Sequence, residues 1–327
     1  MTTRTIDPAD LAQAVRGGDR SAIGRALTLV ESRAAKHEAA ASDLQRLLLP
    51  HAGQATRVGL SGPPGVGKST FIEALGLHLI EQGHRVAVLA VDPSSTLTGG
   101  SILGDKARME RLALAPEAFV RPSPSAATLG GVARRTREAM LVLEAAGHDV
   151  VLVETVGVGQ SETAVDEMVD TFCVLMLPGS GDELQGIKKG IVELADLLVI
   201  NKADGDNRAR AEAAKSDLDS ALHYLRPKRE VWQPKTVLAS GREGLGVAET
   251  WAAIRDHRAT LKRTGALATL RAEQRRGWLW SELRDSLERA FITHAEVAPQ
   301  LDAVEAQVVA GALPVHEAAE RLLRAFR

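Results

Sequence analysis

Residues 62–70, GPPGVGKST, follow the apolar run TRVGL (residues 56–60) and precede FIEALGLHLIEQG (residues 71–83), whose apolar positions recur at helical spacing. The stretch matches G-x-x-x-x-G-K-[ST] at Gly62, Gly67, Lys68 and Ser69, with a strand expected before it and a helix after it. In that setting the backbone N–H groups of Gly62, Pro63, Pro64, Gly65, Val66, Gly67, Lys68, Ser69 and Thr70, prolines excepted, are expected to wrap a nucleotide's phosphates. The helix start adds its positive end, Lys68 reaches the β- and γ-phosphates, and the Ser69 hydroxyl ligates Mg²⁺. A phosphate loop between strand and helix opens an α/β domain.

Working outward, seven short β-rich runs alternate with helical patterns: TRVGL, RVAVLAVD, AFVRP, DVVLVET, TFCVLML, DLLVINK and TVLAS. They are continuously apolar, as strands covered on both faces must be. The expectation is α/β: a doubly wound, mostly parallel sheet with right-handed crossovers. Residues 1–52 read as a helical extension, with Ser21 and Ser42 as candidate caps, and residues 53–263 as the nucleotide domain. Residues 264–327 turn helical again. Leu279, Leu283 and Leu287 at one-turn spacing, and a last helix opening at Pro314, must pack on their own domain or on a second copy, as a homodimer.

The base is read from VINKAD. The Asp204 carboxylate can accept from both N1–H and the 2-amino group of guanine; adenine has no 2-amino group and would leave it unpaired. Asn201 is expected at the guanine O6/N7 edge and tied to the phosphate loop, with the Lys202 stem covering the base. Losing those donors costs on the order of 2 kcal/mol, enough for tens-fold preference for GTP over ATP. In LASGREGLG, Ser240, Gly241 and Arg242 fit a loop offering N–H groups to guanine O6, or an ordinary strand-to-helix turn.

Carboxylates follow at strand ends, where a doubly wound sheet presents ligands. Asp92 and Glu154 can face the Mg²⁺ site; Asp105 lies between them in a glycine-rich loop. Gly157 can give an amide to the γ-phosphate. The alternatives are a turn former for Asp92 and helix caps or solvated charges for Asp105 and Glu154. After Gly157 comes Val158, where small GTPases carry the water-orienting glutamine, so slow intrinsic hydrolysis is expected. Residues 178–193, with Lys188, are the candidate for completing the catalytic set of Lys68, Asp92, Glu154 and Lys188, or an exposed loop running into a helix.

Composition narrows the partners. The 327 residues carry 40 Lys+Arg against 42 Asp+Glu, a net charge of −2, with no global field for nucleic acid or an anionic membrane. No basic-then-apolar leader and no membrane-length apolar run is present, which points to a cytoplasmic protein. One cysteine, Cys173, and nine dispersed histidines argue against a soft-metal cluster.

Together GLSGPPGVGKSTFIEALG, VAVLAVDPSSTLTGGSILGDKARM, FVRPSPSAATLGGVARRTREAM, DVVLVETVGVGQSE, DTFCVLMLPGSGDELQGIKKGIVELADLLVINKAD and TVLASGREGLG resemble the MeaB/ArgK/MMAA family of P-loop GTPases over most of residues 57–246. The resemblance implies a GTP-dependent chaperone of adenosylcobalamin-dependent methylmalonyl-CoA mutase, gating cofactor loading and protecting the mutase. It also implies GTP/GDP with Mg²⁺ as cofactors, the metal-side set Ser69, Asp92, Asp105 and Glu154, an additional loop at 178–193, and a C-terminal dimerisation segment. The competing functions are a P-loop kinase, against which residues 201–204 speak, and a metal-insertion GTPase.

Overall fold

The computed structural model describes residues 7–32, 34–91, 109–121, 129–155, 161–179, 189–224 and 227–327. Their contacts divide into two compact units, Met1–Arg271 and Ala272–Arg327.

In the first unit seven strands form one sheet: β1 (Thr56–Ser61), β2 (Val86–Val91), β3 (Ala118–Arg121), β4 (Val150–Thr155), β5 (Thr171–Met176), β6 (Leu197–Ile200) and β7 (Lys235–Leu238). All pairings are parallel, in the order β3-β2-β4-β1-β5-β6-β7. Each of the seven apolar runs thus became a strand. β2, β4 and β5 are buried along their whole length, which is why they show no polar alternation. Strand order reverses about β1, so the loop after β1 opens at the switch point where such sheets bind ligands.

The intervening helices are α4 (Lys68–Glu81), α5 (Glu110–Leu114), α6 (Leu129–Ala145), α7 (Ser161–Asp166), α8 (Lys189–Leu194), α9 (Arg208–Tyr224) and α10 (Val247–Arg263). One core layer joins Val58 and Leu60 of β1 to Phe71 and Leu75 of α4 and to Trp251 and Ile254 of α10. On the other face Gly59 lies against Phe172, Val165 and Val169, so close that an added Cβ would fall 2.8 Å from the Phe172 ring.

The N-terminal helices are α1 (Pro8–Arg16), α2 (Arg20–Val30) and α3 (Ala35–Leu48). Asp19, not Ser21, caps α2, through its carboxylate and the Ala22 N–H at 2.7 Å. Ser42 lies inside α3, which starts seven residues before it because the alanine-rich run favours helix without a cap. Side chains at the two ends of α2 reach the edge strand β3. Arg20 donates to the carbonyls of Ala118 (2.8 Å) and Ala113 (3.3 Å) and stacks on Phe119, while Glu31 pairs with Arg121.

The long helix α11 (Ala266–Ile292) runs out of the first unit into the second, where α12 (Ala298–Val309) and α13 (Val315–Phe326) follow. Val297, Val304, Ala318 and Leu322 form a small core there. Leu279, Trp280, Leu283 and Leu287 of α11 are exposed.

Candidate functional site

The loop after β1 is shaped by three glycines with positive φ: Gly62 at 151°, Gly65 at 79° and Gly67 at 92°. Space and dihedral both require glycine at two of them. A Cβ on Gly62 would meet the Leu175 carbonyl at 2.5 Å, and one on Gly67 the Asn201 amide at 2.8 Å. Val66 is fully buried and pins the loop to the core, while Pro64 and Gly65 are exposed and Pro63 half-buried.

Lys68, the first residue of α4, is buried to 8% exposure with its ammonium held over the loop. It donates to the carbonyls of Gly62 at 2.7 Å and Pro63 at 3.3 Å. A nearly buried cation beside a glycine-opened run of N–H groups at a helix start is an anion cradle. Thr70 is exposed one residue beyond Ser69. The Ser69 hydroxyl donates to Glu154 Oε1 at 3.2 Å, joining the first turn of α4 to the end of β4. Glu154 is buried to 9% exposure. A hydroxyl and a carboxylate side by side are hard oxygen donors of the kind Mg²⁺ takes.

The loop after β6 closes the other side. Asn201, 2% exposed, donates from its amide to Val66 O at 2.8 Å and accepts from Gly241 N at 3.0 Å. It therefore ties three segments together, and the tie to the phosphate loop expected from the sequence is present. Lys202, with φ at 59° the one non-glycine residue of positive φ among the described residues, donates to Gly65 O at 2.8 Å. Its stem thus bridges the base-side loop and the phosphate loop. Asp204 follows, half-buried, beside the rest of the motif.

The loop after β7 returns against α4. A Cβ on Gly241 would lie 2.8 Å from the Phe71 backbone. Ser240 is fully buried; its N–H donates to Leu245 O at 2.8 Å and its hydroxyl accepts from Glu243 N at 3.2 Å, while Arg242 is exposed. These bonds fold residues 240–246 into a closed turn whose Gly241 reaches Asn201.

Thus the structure brings together 62–70, Glu154, 201–204 and 240–242 at the carboxyl edge of the sheet. Asp92, Asp105, Gly157 and Lys188 lie outside the described residues. Two features of the site were not read from the sequence. One is Glu73, a turn along α4 from Ser69, which accepts from Arg111 N at 2.8 Å and so fixes the start of α5. The other is a buried hydroxyl pair, Ser61 and Thr155. Ser61 had a signal: a polar residue closing an apolar strand. Among the described residues no group of three or more His, Cys, Asp or Glu could hold a metal, and no helix is long and apolar enough to cross a membrane.

The family model described as methylmalonyl Co-A mutase-associated GTPase MeaB matches residues 23–296. A Caulobacter vibrioides protein named as a GTPase is 55% identical, with 98% of each chain covered. GTPase ArgK of Escherichia coli is 50% identical over 88% of this chain and 87% of its own. The mouse methylmalonic aciduria type A homolog, mitochondrial, is 48% identical over 95% of this chain and 77% of its own. A crystal structure titled LAO/AO transport system kinase superposes with a TM-score of 0.76 at 39% identity, covering 98% of this chain and 99% of that one. A phosphate loop at the switch point of this sheet and relatives that match over most of their length lead to one conclusion: the chain is a GTP-binding, GTP-hydrolysing enzyme of the MeaB family of P-loop GTPases.

Proposed function

We propose that this GTPase works as a chaperone of an adenosylcobalamin-dependent methylmalonyl-CoA mutase, its nucleotide state gating cofactor loading and protecting the mutase. The observation that carries the reading is the match of residues 23–296 to a family described as mutase-associated, joined to a candidate nucleotide site whose three segments are interlocked through Asn201.

In this reading the N–H groups of residues 62–70 bind the phosphates, and Lys68 transfers its ammonium from the Gly62 and Pro63 carbonyls to the β- and γ-phosphates. Ser69 and Glu154 fit Mg²⁺, with Asp92 and Asp105 completing the set. The metal, when bound, neutralises charge developing on the phosphate oxygens. Asp204 selects guanine, Lys202 covers the base, and Ser240, Gly241 and Arg242 frame its O6 edge; Asn201 orders these loops. Gly157 senses the γ-phosphate and Lys188 adds positive charge. A GTPase can shift its client only by as much as the client's affinity differs between the GTP and GDP forms. The exposed Leu279, Leu283 and Leu287 face of α11 supports a homodimer built through residues 264–327.

The test is GTP turnover by the purified chain, alone and with the mutase, with ATP as control. Slow turnover that rises with the mutase and is absent with ATP is the expected result; turnover indifferent to the mutase removes the client. The kinase title of one relative favours a second outcome, phosphate appearing on a third molecule instead of water. Asp204→Asn is expected to lower the GTP-over-ATP preference by tens-fold with the fold intact, read by competition between the two nucleotides. An unchanged preference rejects the base assignment.

A further inference from the structure

Two hydroxyls sit where the sheet would be expected to carry apolar side chains. Thr155 Oγ1 donates to Ser61 Oγ at 2.8 Å, and both residues have zero exposure. The register that sets Leu60 opposite Glu154 carries one residue further to this pair, the last position of each strand. The preceding positions of β4 are Val150, Val151, Leu152 and Val153. Valine at 155 and alanine at 61 would fill nearly the same space without desolvating two hydroxyls, so the pair supplies direction that apolar packing lacks.

Its place defines what is directed. Ser61 precedes Gly62, where the phosphate loop leaves β1, and Thr155 follows Glu154. Side chains alternate along a strand, so Ser61 shares the face of Gly59, toward Phe172 and Val165, while Leu60 faces α4. Glu154, alternating with Thr155, reaches the α4 side, where its carboxylate accepts from Ser69. The end of β4 is thereby tied to the phosphate-loop segment twice, by Glu154–Ser69 above the sheet and by Thr155–Ser61 below it. A strand end held on one face only can twist about its axis; held on both, it cannot.

We propose that Thr155 is a positioning residue for Mg²⁺-dependent GTP binding: its bond to Ser61 sets the twist of the β4 end and with it the reach of the Glu154 carboxylate toward Ser69. The proposal rests on Ser69 and Glu154 being the metal-side pair.

The test is the Mg²⁺ dependence of binding of a fluorescent N-methylanthraniloyl GTP, with the corresponding GDP in the absence of Mg²⁺ as reference, for the full chain. Thr155→Val is expected to raise the half-saturating Mg²⁺ concentration by roughly three- to tenfold, the usual range for one lost buried hydrogen bond. Its Mg²⁺-free GDP affinity should stay that of the unaltered chain. Thr155→Ser should restore the titration, Ser61→Ala should match Thr155→Val, and the double variant should be no worse than either single one. If Thr155→Val fails to fold, Ser61→Ala carries the same comparison. A variant titrating like the unaltered chain, or losing Mg²⁺-free GDP affinity equally, overturns the proposal. Glu154→Gln separates the premise: if that variant titrates normally, the metal-side assignment fails, whatever Thr155→Val does.

Discussion

The two edges of the sheet are held by different forces. At the amino-terminal edge the fastening is ionic and buried. Asp170 has zero side-chain exposure and accepts from Arg271 Nε at 2.8 Å and Nη2 at 2.7 Å. Arg271 also donates to the carbonyls of Gly53 and Ala55, and Arg258 to that of Gln54. Glu144 holds Arg57 and the Gly53 N–H, Asp196 holds Arg229, and Asp166 holds Lys228. Burial by itself would lower the Arg271 pKa; the hydrogen bonds and charge of Asp170 outweigh it and raise it. The root of α11 and the segment leading into β1 are thereby locked to one carboxylate cluster.

At the carboxyl edge, among the described residues, the ties are directed mainly at backbone carbonyls and N–H groups, through Asn201, Lys202, Lys68 and Ser240. A bond from a cation to a neutral carbonyl can be exchanged for one to phosphate at a gain; a buried ion pair cannot be opened without leaving a bare charge. The difference teaches which edge is built to change partners and which is built to stay.

The comparison breaks first if the static edge tolerates damage. Asp170→Ala strands Arg271 in a buried setting and is expected to cost about 3–5 kcal/mol in denaturant unfolding, with GTP affinity per folded molecule little changed. A loss under about 1 kcal/mol would mean that edge is not ionically fastened. Next is Lys68→Ala, the reverse case, in which GTP binding should fall about 100-fold, some 2–3 kcal/mol, while the unfolding midpoint holds. A collapse of stability instead would place Lys68 among the structural groups.

The smallest effect concerns pH. Burial pushes the pKa of His257, beside Asp196 and Arg229, and that of His148, beside Arg85, down to about 4. Both are neutral in the folded chain but take up protons near pH 6.5 when unfolded. Stability should therefore fall, by up to about 1.4 kcal/mol per pH unit for each histidine, as pH drops from about 6.5 toward 4, since the unfolded state binds more protons there. Burial raises the Asp166 pKa, which works the opposite way at the acidic end of that window. His257→Gln should flatten part of the slope in pH-dependent unfolding; an unchanged slope would remove His257 from the account.

The described part of the carboxyl edge, the phosphate loop and the loop after β6, was legible in the sequence because its chemistry is local. A nine-residue loop and a four-residue motif each carry their own constraints, and continuous apolar runs announce covered strands. The amino-terminal edge was not legible, because Arg271 and Asp170 stand 101 residues apart and Arg57 and Glu144 87 apart. No periodicity links an arginine in a solvated-looking helix to a carboxylate before a strand. Helix starts failed for a nearer reason: Ser21 and Ser42 are good caps, but Asp19 and an alanine run acted earlier in the chain. Thr155 was passed over because a threonine is an ordinary strand residue until its neighbour across the ladder is known to be a serine.

The side-chain contacts that the ends of α2 make with β3 bear on how this enzyme can be cut down. A bare outer strand is adhesive: its free carbonyls and N–H groups will pair with whatever strand arrives, including the same strand of another copy. Arg20 occupies the Ala118 carbonyl and Glu31 closes on Arg121 at the far end. A chain begun at residue 53 would retain every segment of the candidate site yet lose the Arg20 and Glu31 contacts to that strand, and light scattering should find it clumping in proportion to its concentration. On that outcome the smallest piece that carries the candidate site would be smaller than the smallest piece that stays dispersed.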